Sequence, residues 1–313
     1  MMKKAITFML FLFSFICNGQ INMIEGRVID AKSGEALSYA NISVSNKKIG
    51  TTSDQDGKFN FQADKLESND TLIISYVGYQ SKKIRINPMD DNVIALTPRM
   101  QFLDEIIVSP STESKERIIN KFRKRNCVIL RTNKHPGSDE YWLPYRPQEP
   151  AIEALYFCNN ENTISGNVIK KVNIFVANVK DSSSFRLRIL SASDNKIPDK
   201  DMLTENIIIT VTEENELVEV DLERFNLVIP ENGIFVGFEL LVIPENQFKL
   251  ELPDGSGTYT QYSPFLQYFK VDQPKYDRWI YTKGEWTKHT QTRELSEKRK
   301  KLFMPAISLL LGH

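Results

Sequence analysis

Histidine and cysteine are scarce in this chain, with three of each, and that scarcity removes whole classes of chemistry. Clustered soft ligands for a zinc or iron–sulfur centre are not there to be found. Net charge is missing too, because 40 Lys and Arg balance 40 Asp and Glu. A dedicated nucleic-acid binder carries a basic excess, so no nucleic-acid partner is expected. No apolar run reaches the roughly 20 residues that a membrane-spanning helix needs. A Walker loop and a Gly-x-Ser-x-Gly elbow are also absent. Three residues after His135 comes Ser138, and three after His289 comes Thr292, so the paired His/Glu spacing of a zinc peptidase is lacking. The expectation is a protein with no metal and no cofactor.

What is present reads as globular. The 313 residues suit about two domains, and 41% hydrophobic with 26% charged residues leaves no room for wholesale disorder. The amino terminus is different from the rest. Lys3 and Lys4 precede an 11-residue apolar run, Ile6 to Ile16, followed by Asn18, Gly19 and Gln20. This is the pattern of a secretory signal peptide over residues 1–19, with the mature chain beginning near Gln20. Cys17 lacks the small residues that usually precede a lipidated cysteine. The expected location is therefore outside the cytoplasm: periplasm, outer membrane or extracellular.

Charge is unevenly distributed. Residues 111–126 hold six basic and two acidic side chains, residues 293–301 hold five and two, and residues 127–292 hold 17 and 24. The two basic stretches are read as solvated faces, with a peripheral contact to a membrane surface or polyanion as their other use. Cys127 and Cys158 remain after export. They are expected to be unbridged buried thiols, Cys158 because it ends the apolar run Leu155-Tyr156-Phe157.

From Ile24 onward, short alternating runs are split by turn residues. Glu25–Asp30, Tyr39–Val44, Lys58–Gln62, Thr71–Tyr76 and Lys83–Ile86 are separated by Gly, Asn, Asp and Pro clusters. That spacing predicts a seven-stranded antiparallel sandwich over residues 20–98. Gly57 is placed to supply the positive φ of a tight hairpin, and Phe59 and Phe61 share a core face. Asp54, Asp56 and Gly57 do not form a calcium loop, since Lys65 stands where the twelfth-position Glu would be.

Three blocks here carry a resemblance. Gly26-Arg27-Val28-Ile29-Asp30 with Ala40-Asn41-Ile42, then Thr52-Ser53-Asp54-Gln55-Asp56-Gly57-Lys58-Phe59, then Ser75-Tyr76-Val77-Gly78-Tyr79 are similar to the carboxypeptidase regulatory-like domain. The resemblance implies a transthyretin-like β-sandwich that is non-catalytic and commonly appended to bacterial envelope proteins. Leu103-Asp104-Glu105-Ile106-Ile107-Val108-Ser109-Pro110 is similar to the segment that joins this domain to the plug in TonB-dependent transporters. Only about 200 residues follow, too few for a plug and a large barrel.

Residues 99–126 are read as a linker strand and a short basic helix over 113–126, capped by Thr112, with Ile118, Ile119 and Phe122 as its apolar stripe. Residues 127–313 show nine further strand patterns: Ala151–Cys158, Asn167–Ala177, Phe185–Ala192, Ile207–Val211, Leu217–Leu222, Gly233–Ile243, Phe265–Val271, Arg278–Thr282 and Phe303–Leu311. The runs Phe185–Ile189, Val218–Leu222 and Ile234–Glu239 resemble jelly-roll sandwiches of uncharacterised secreted bacterial proteins. The fold class is thus all-β, a transthyretin-like sandwich followed by a jelly-roll-like one.

Two constellations could carry function. Tyr141, Trp142 and Tyr145 lie in a Pro-containing loop, where flat rings can stack on sugars. They are the candidate ligand-binding residues, while Trp279, Tyr281 and Trp286 are read as packing. Glu219-Val220-Asp221-Leu222-Glu223 resembles the active-site strand of family 16 glycoside hydrolases, whose paired carboxylates sit about 5–5.5 Å apart. An ordinary strand with a wet acidic edge explains the run equally well, and no catalytic residue is assigned. The leading expectation is a non-catalytic exported envelope protein that acts by binding or assembly, with an envelope protein or glycan as partner. A carbohydrate-binding module, or a glycoside hydrolase using Glu219 and Glu223, are the alternatives.

Overall fold

The structure is a computed structural model. It describes residues 22–312 apart from 64–65, 67–68, 86–91, 100–115, 130–132, 135–140, 143–148, 160–167, 252–254, 256, 274, 290–291 and 295–299. The expected signal peptide and the 103–110 junction therefore lie outside the described residues.

Period-two alternation builds the first sandwich. Its strands are β1 (Asn22–Asp30), β2 (Asn41–Val44), β3 (Gly50–Thr52), β4 (Lys58–Ala63), β5 (Thr71–Ser75), β6 (Lys82–Arg85) and β7 (Asn92–Leu96). Along β1, Ile24 and Val28 are buried while Glu25 and Arg27 are exposed, as a strand with one wet face requires. The seven strands form two sheets, ordered β4-β1-β7 and β3-β2-β5-β6. β1 runs antiparallel to β4, with Gly26 opposite Phe59, and parallel to β7, with Val28 opposite Ile94. Ile42, Val44, Phe59, Phe61, Leu72 and Ile74 fill the space between the sheets. Gly57 takes φ +72°, and the carboxylate of Asp54 accepts the backbone N–H groups of Asp56 and Lys58 at 2.9 and 2.8 Å. This hairpin is held by turn chemistry, as its sequence predicts.

The second sandwich begins earlier than residue 127. Its strands are β8 (Arg117–Ile119), β9 (Cys127–Val128), β10 (Asn133–Lys134), β11 (Tyr141–Trp142), β12 (Ala151–Phe157), β13 (Val168–Ala177), β14 (Ser183–Ala192), β15 (Pro198–Asp201), β16 (Ile207–Val211) and β17 (Asn215–Asp221). They continue with β18 (Ile234–Leu240), β19 (Gln247–Glu251), β20 (Thr258–Tyr262), β21 (Phe265–Leu266), β22 (Tyr268–Val271), β23 (Arg278–Thr282), β24 (Glu285–His289), β25 (Thr292–Glu294), β26 (Lys300–Pro305) and β27 (Ile307–Gly312). One large sheet is ordered β15-β14-β18-β12-β23-β24, with β16 also on β14. The other is β17-β13-β27-β8, with β21 on β13. Leu155, Phe157, Val172, Ile174, Phe185, Leu187, Val236, Phe238 and Leu309 pack between them. A smaller sheet, β25-β26-β22-β9, extends the structure.

The basic helix over 113–126 is not formed in the described part of that span. Arg117–Ile119 is a strand that pairs with β27, Ile119 opposite Leu309. The β-branched pair Ile118-Ile119 favours a pleated surface, and β27 offers it an open edge. Asn120 then takes φ +56° and donates its side-chain N–H to the carbonyl of Ile307 at 2.7 Å, which turns the chain away. Phe122 inserts beside Phe175 and Phe269, with ring centroids 6.5 and 5.7 Å away. Only a single 3-10 turn, Lys124–Asn126, is helical. Local helical pattern lost to tertiary strand pairing. Among the described residues no helix is long and apolar enough to cross a membrane.

Candidate functional site

Strand alternation also decides what joins the two sandwiches. On β14, Phe185, Leu187 and Ile189 point into the core, so Arg186 and Arg188 project from the opposite face. On β18, Val236, Phe238 and Leu240 face the core, and Glu239 projects beside the arginines because the register sets it opposite Arg186. The first sandwich covers this face. Arg186 and Glu239 are both fully buried.

Arg186 Nη1 donates to Glu239 Oε1 at 3.0 Å, and Arg188 Nη1 donates to Glu239 Oε2 at 2.7 Å. Arg188 also grips Asp201 through Nε and Nη2 at 2.8 and 3.0 Å. From the first sandwich, Asn41 Nδ2 donates to Glu239 Oε1, and the Tyr39 carbonyl accepts Arg186 Nη2. The Arg186 guanidinium lies 5.9 Å from the centre of the Tyr76 ring. Burial pushes the Glu239 carboxyl up, but Arg186 and then Arg188 outweigh it and hold the group below the usual carboxylate range. Asp201 goes the other way, because burial raises it by more than Arg188 lowers it.

Neutral contacts complete the seam. Val242 N–H donates to Thr52 Oγ1 at 3.0 Å, and Asn46 N–H to the carbonyl of Lys283 at 3.0 Å. Val77 of the first sandwich is buried within the core cluster of the second.

Beside the seam lies an open groove of about 670 Å³, a size ordinary for a small-ligand site. One wall is the outer face of β1 and β4, with Glu25, Arg27, Lys58 and Asn60. The other is Val242–Pro244, Gln247 and Tyr262 of the second sandwich. Arg27 Nε donates to the carbonyl of Asp56 at 3.0 Å, which fixes its position on the wall. Tyr262 is nearly buried, and desolvation raises its hydroxyl pKa. The wall chemistry is amide, hydroxyl and mixed charge beside an aromatic ring. Such a lining can hydrogen-bond and pack a polar ligand.

The sequence-derived candidates fare unevenly. Tyr141 and Trp142 form β11, paired to Lys134 and Asn133; Tyr145 lies outside the described residues. Trp279 and Trp286 pack on a small cluster of Ala154, Tyr156, Leu190 and Phe235, and Tyr281 stacks obliquely on Trp286 at 5.2 Å. The strand carrying Glu219 ends at Asp221. Glu223 opens a 3-10 turn, its backbone N–H bonded to Asp221 Oδ1 at 2.9 Å, and its carboxylate lies 4.0 Å from Lys170. The alternation that would align three carboxylates therefore stops after the second.

The cysteines are not both buried. Cys158 is exposed and Cys127 half-buried, neither in a disulfide, because β12 ends at Phe157 and the chain leaves the core there. Among the described residues no group of three His, Cys, Asp or Glu could hold a metal.

The seam residues were missed from sequence alone. A signal existed: Glu239 is the sole charged residue in Ile234–Leu240, and Arg186 and Arg188 interrupt the otherwise apolar run Phe185–Leu190. Charges embedded in core strands require partners.

The TonB-dependent receptor P3 of Formosa agariphila is 30% identical to this chain over 106 residues, which cover 34% of the chain and 10% of the receptor. The match thus spans about a tenth of that relative's length. A crystal structure of the cysteine protease and lectin-like domains of Cwp84, a surface layer associated protein of Clostridium difficile, aligns over 93% of this chain and 58% of that one. Identity is 10% and the TM-score 0.33, too low to carry an argument. Residues 24–108, the first sandwich and the segment that leaves it, match the CarboxypepD_reg-like domain family.

Proposed function

We propose that this chain is a non-catalytic, exported protein of the bacterial envelope that works by binding, with the groove between its two sandwiches as the ligand site. The observation that carries the reading is the CarboxypepD_reg-like domain at 24–108, docked through a buried charged seam so that its outer sheet face forms one wall of that groove. The partner is an envelope glycan or protein. Amides at Asn60 and Gln247 and the Tyr262 ring suit sugar hydroxyls, and Arg27 and Lys58 favour an acidic group on the ligand.

The test is a glycan array probed with the chain and with a Lys58→Ala/Asn60→Ala variant. Both positions are exposed, so folding is retained. Binding that the variant loses supports the groove. Binding that the variant keeps moves the ligand elsewhere, and glycan turnover by the wild type refutes the non-catalytic reading.

A further inference from the structure

Two basic stretches, 111–126 and 293–301, are more than 160 residues apart in the sequence. The first stretch runs into β9, one edge strand of the small sheet β25-β26-β22-β9, and the second includes most of β25 at its other edge and part of β26. The 3-10 turn Lys124–Asn126 leads directly into β9, where Cys127 lies opposite Phe269 of β22. On the other side of β22, Lys270 lies opposite Phe303 of β26, and β26 pairs β25 through Lys301 with Arg293.

The segment leading in is held firmly. Asn120 is bonded to Ile307, and Phe122 is packed against Phe269. With those two residues turned inward, Lys121, Arg123, Lys124 and Arg125 are all exposed, as is Lys270. None of these five makes an ion pair among the described residues. Residues 117–128 contain five basic side chains and no acid. Among the described side chains, the exposed acids closest in sequence to these cations are Glu116 and Asp272.

Exposed apolar side chains flank this run. Ile118 is 46% exposed and Val128 44%, at either end of the basic turn. Among the described residues few large hydrophobic side chains are so exposed, and two of them bracket this run of cations. A polysaccharide would use the charges and leave these aliphatic groups in water. An anionic bilayer uses both, since lysine and arginine meet the headgroups while aliphatic side chains enter the interfacial layer.

We propose that this face, Ile118–Val128 with Lys270, is a docking surface for an anionic lipid membrane, which holds the protein peripherally with the groove left to its ligand. The proposal does not depend on the groove reading, because the two surfaces share no residue.

The experiment is co-sedimentation of the full-length chain with vesicles of phosphatidylcholine alone and with about a third phosphatidylglycerol, at low and high salt. Lys3, Lys4 and the apolar run 6–16 are the same in wild type and every variant, so their contribution cancels in that comparison. Each cation near an anionic surface is worth about fivefold in partitioning. Lys121→Ala/Lys124→Ala/Arg125→Ala should therefore reduce binding to the anionic vesicles by roughly a hundredfold. High salt should do the same for the wild type.

Ile118→Ser/Val128→Ser, which keeps every charge, should weaken binding by several fold. A control, Lys82→Ala/Lys83→Ala on exposed β6 of the first sandwich, should leave it unchanged. Equal binding to the two vesicles, full binding by the triple variant, or loss of binding in the control overturns the proposal. So does salt-sensitive capture by an acidic polysaccharide with no vesicle binding.

Discussion

Replacing Glu239 by Gln keeps the shape of the side chain and deletes one charge at the centre of the seam. Arg188 retains a two-point grip on Asp201. Arg186 does not fare so well: it is fully buried, and Glu239 is the carboxylate it donates to. What remains for it is the Tyr39 carbonyl and the Tyr76 ring. Removing one partner of a buried ion pair costs about 3–5 kcal/mol, because the other is left charged and desolvated. In a chain of this size each kcal/mol moves Tm by about 2–4 °C, so Glu239→Gln should lower Tm by roughly 6–20 °C.

The double variant Arg186→Met/Glu239→Met removes both charges together and should cost less than Glu239→Gln alone. Urea unfolding followed by tryptophan fluorescence measures both. Of the three tryptophans, at 142, 279 and 286, the last two lie on β23 and β24 in the large sheet of the second sandwich. Circular dichroism supplies the probe for the whole chain. The two probes should coincide in the wild type and separate in Glu239→Gln, where the seam no longer couples the sandwiches. A cost below about 1 kcal/mol for Glu239→Gln, or a double variant worse than the single, refutes the reasoning.

Acid sharpens the test. The folded pKa of Glu239 is held below its ordinary value of 4.5, so its contribution is present above that value and is lost as pH falls through the depressed one. Asp201, with a raised pKa, disfavours the folded state when ionised and relieves that cost on protonation. Because Glu239→Gln removes only the first contribution, the variant's stability should fall less steeply with acid than the wild type's.

Gly284 takes φ +81°, and a Cβ there would lie 2.3 Å from Ile73 Cδ1 across the seam; Gly284→Ala should destabilise by about 1–3 kcal/mol in thermal melts. Burial pushes the Cys127 thiol up to about 11, so at pH 8 a thiol reagent should modify exposed Cys158 first and Cys127 slowly, and non-reducing peptide maps should show no linked pair. Glu219→Gln and Glu223→Gln sit at exposed positions and should each change stability by less than about 1 kcal/mol. Laminarin, lichenan and agarose incubated with wild type should release no reducing ends, and release that both variants abolish would restore the hydrolase alternative.

Strands were legible in this sequence because a half-buried strand writes its own period. Val172, Ile174 and Val176 alternate on β13, and the sequence-derived bounds of β12, β14, β16 and β23 fall within about two residues of those observed. The stretch 113–126 was misread because Ile118, Ile119 and Phe122 satisfy a helical stripe and a strand followed by an anchoring ring equally well. What decides between them is the open edge of β27, some 190 residues away, which no local window contains. Cys158 was misjudged for a related reason. The apolar run before it says that β12 is buried, but where the chain leaves the sheet depends on the register with β18, which ends at Phe157 opposite Ile234. The groove was invisible because each wall, taken alone, is an ordinary solvated strand face.

Arg186, Arg188 and Glu239 show what the fold gains from charges that contribute little net stability. An apolar seam of the same area would hold the sandwiches together in many sliding arrangements, since dispersion and hydrophobic burial are not directional. The observed seam fixes donors against acceptors: Asn41 and Tyr39 from one side meet Glu239 and Arg186 from the other. A displacement of a few ångströms would strand a buried charge, and the penalty for that exceeds what sliding could recover. The groove is bounded by both sandwiches, so its width is set by this registration. If the groove is the ligand site proposed above, it needs such a constraint to be preorganised, because each degree of freedom left at the seam would be paid again on binding. The ionic seam is thus the part of the molecule through which the first sandwich sets the shape of the groove.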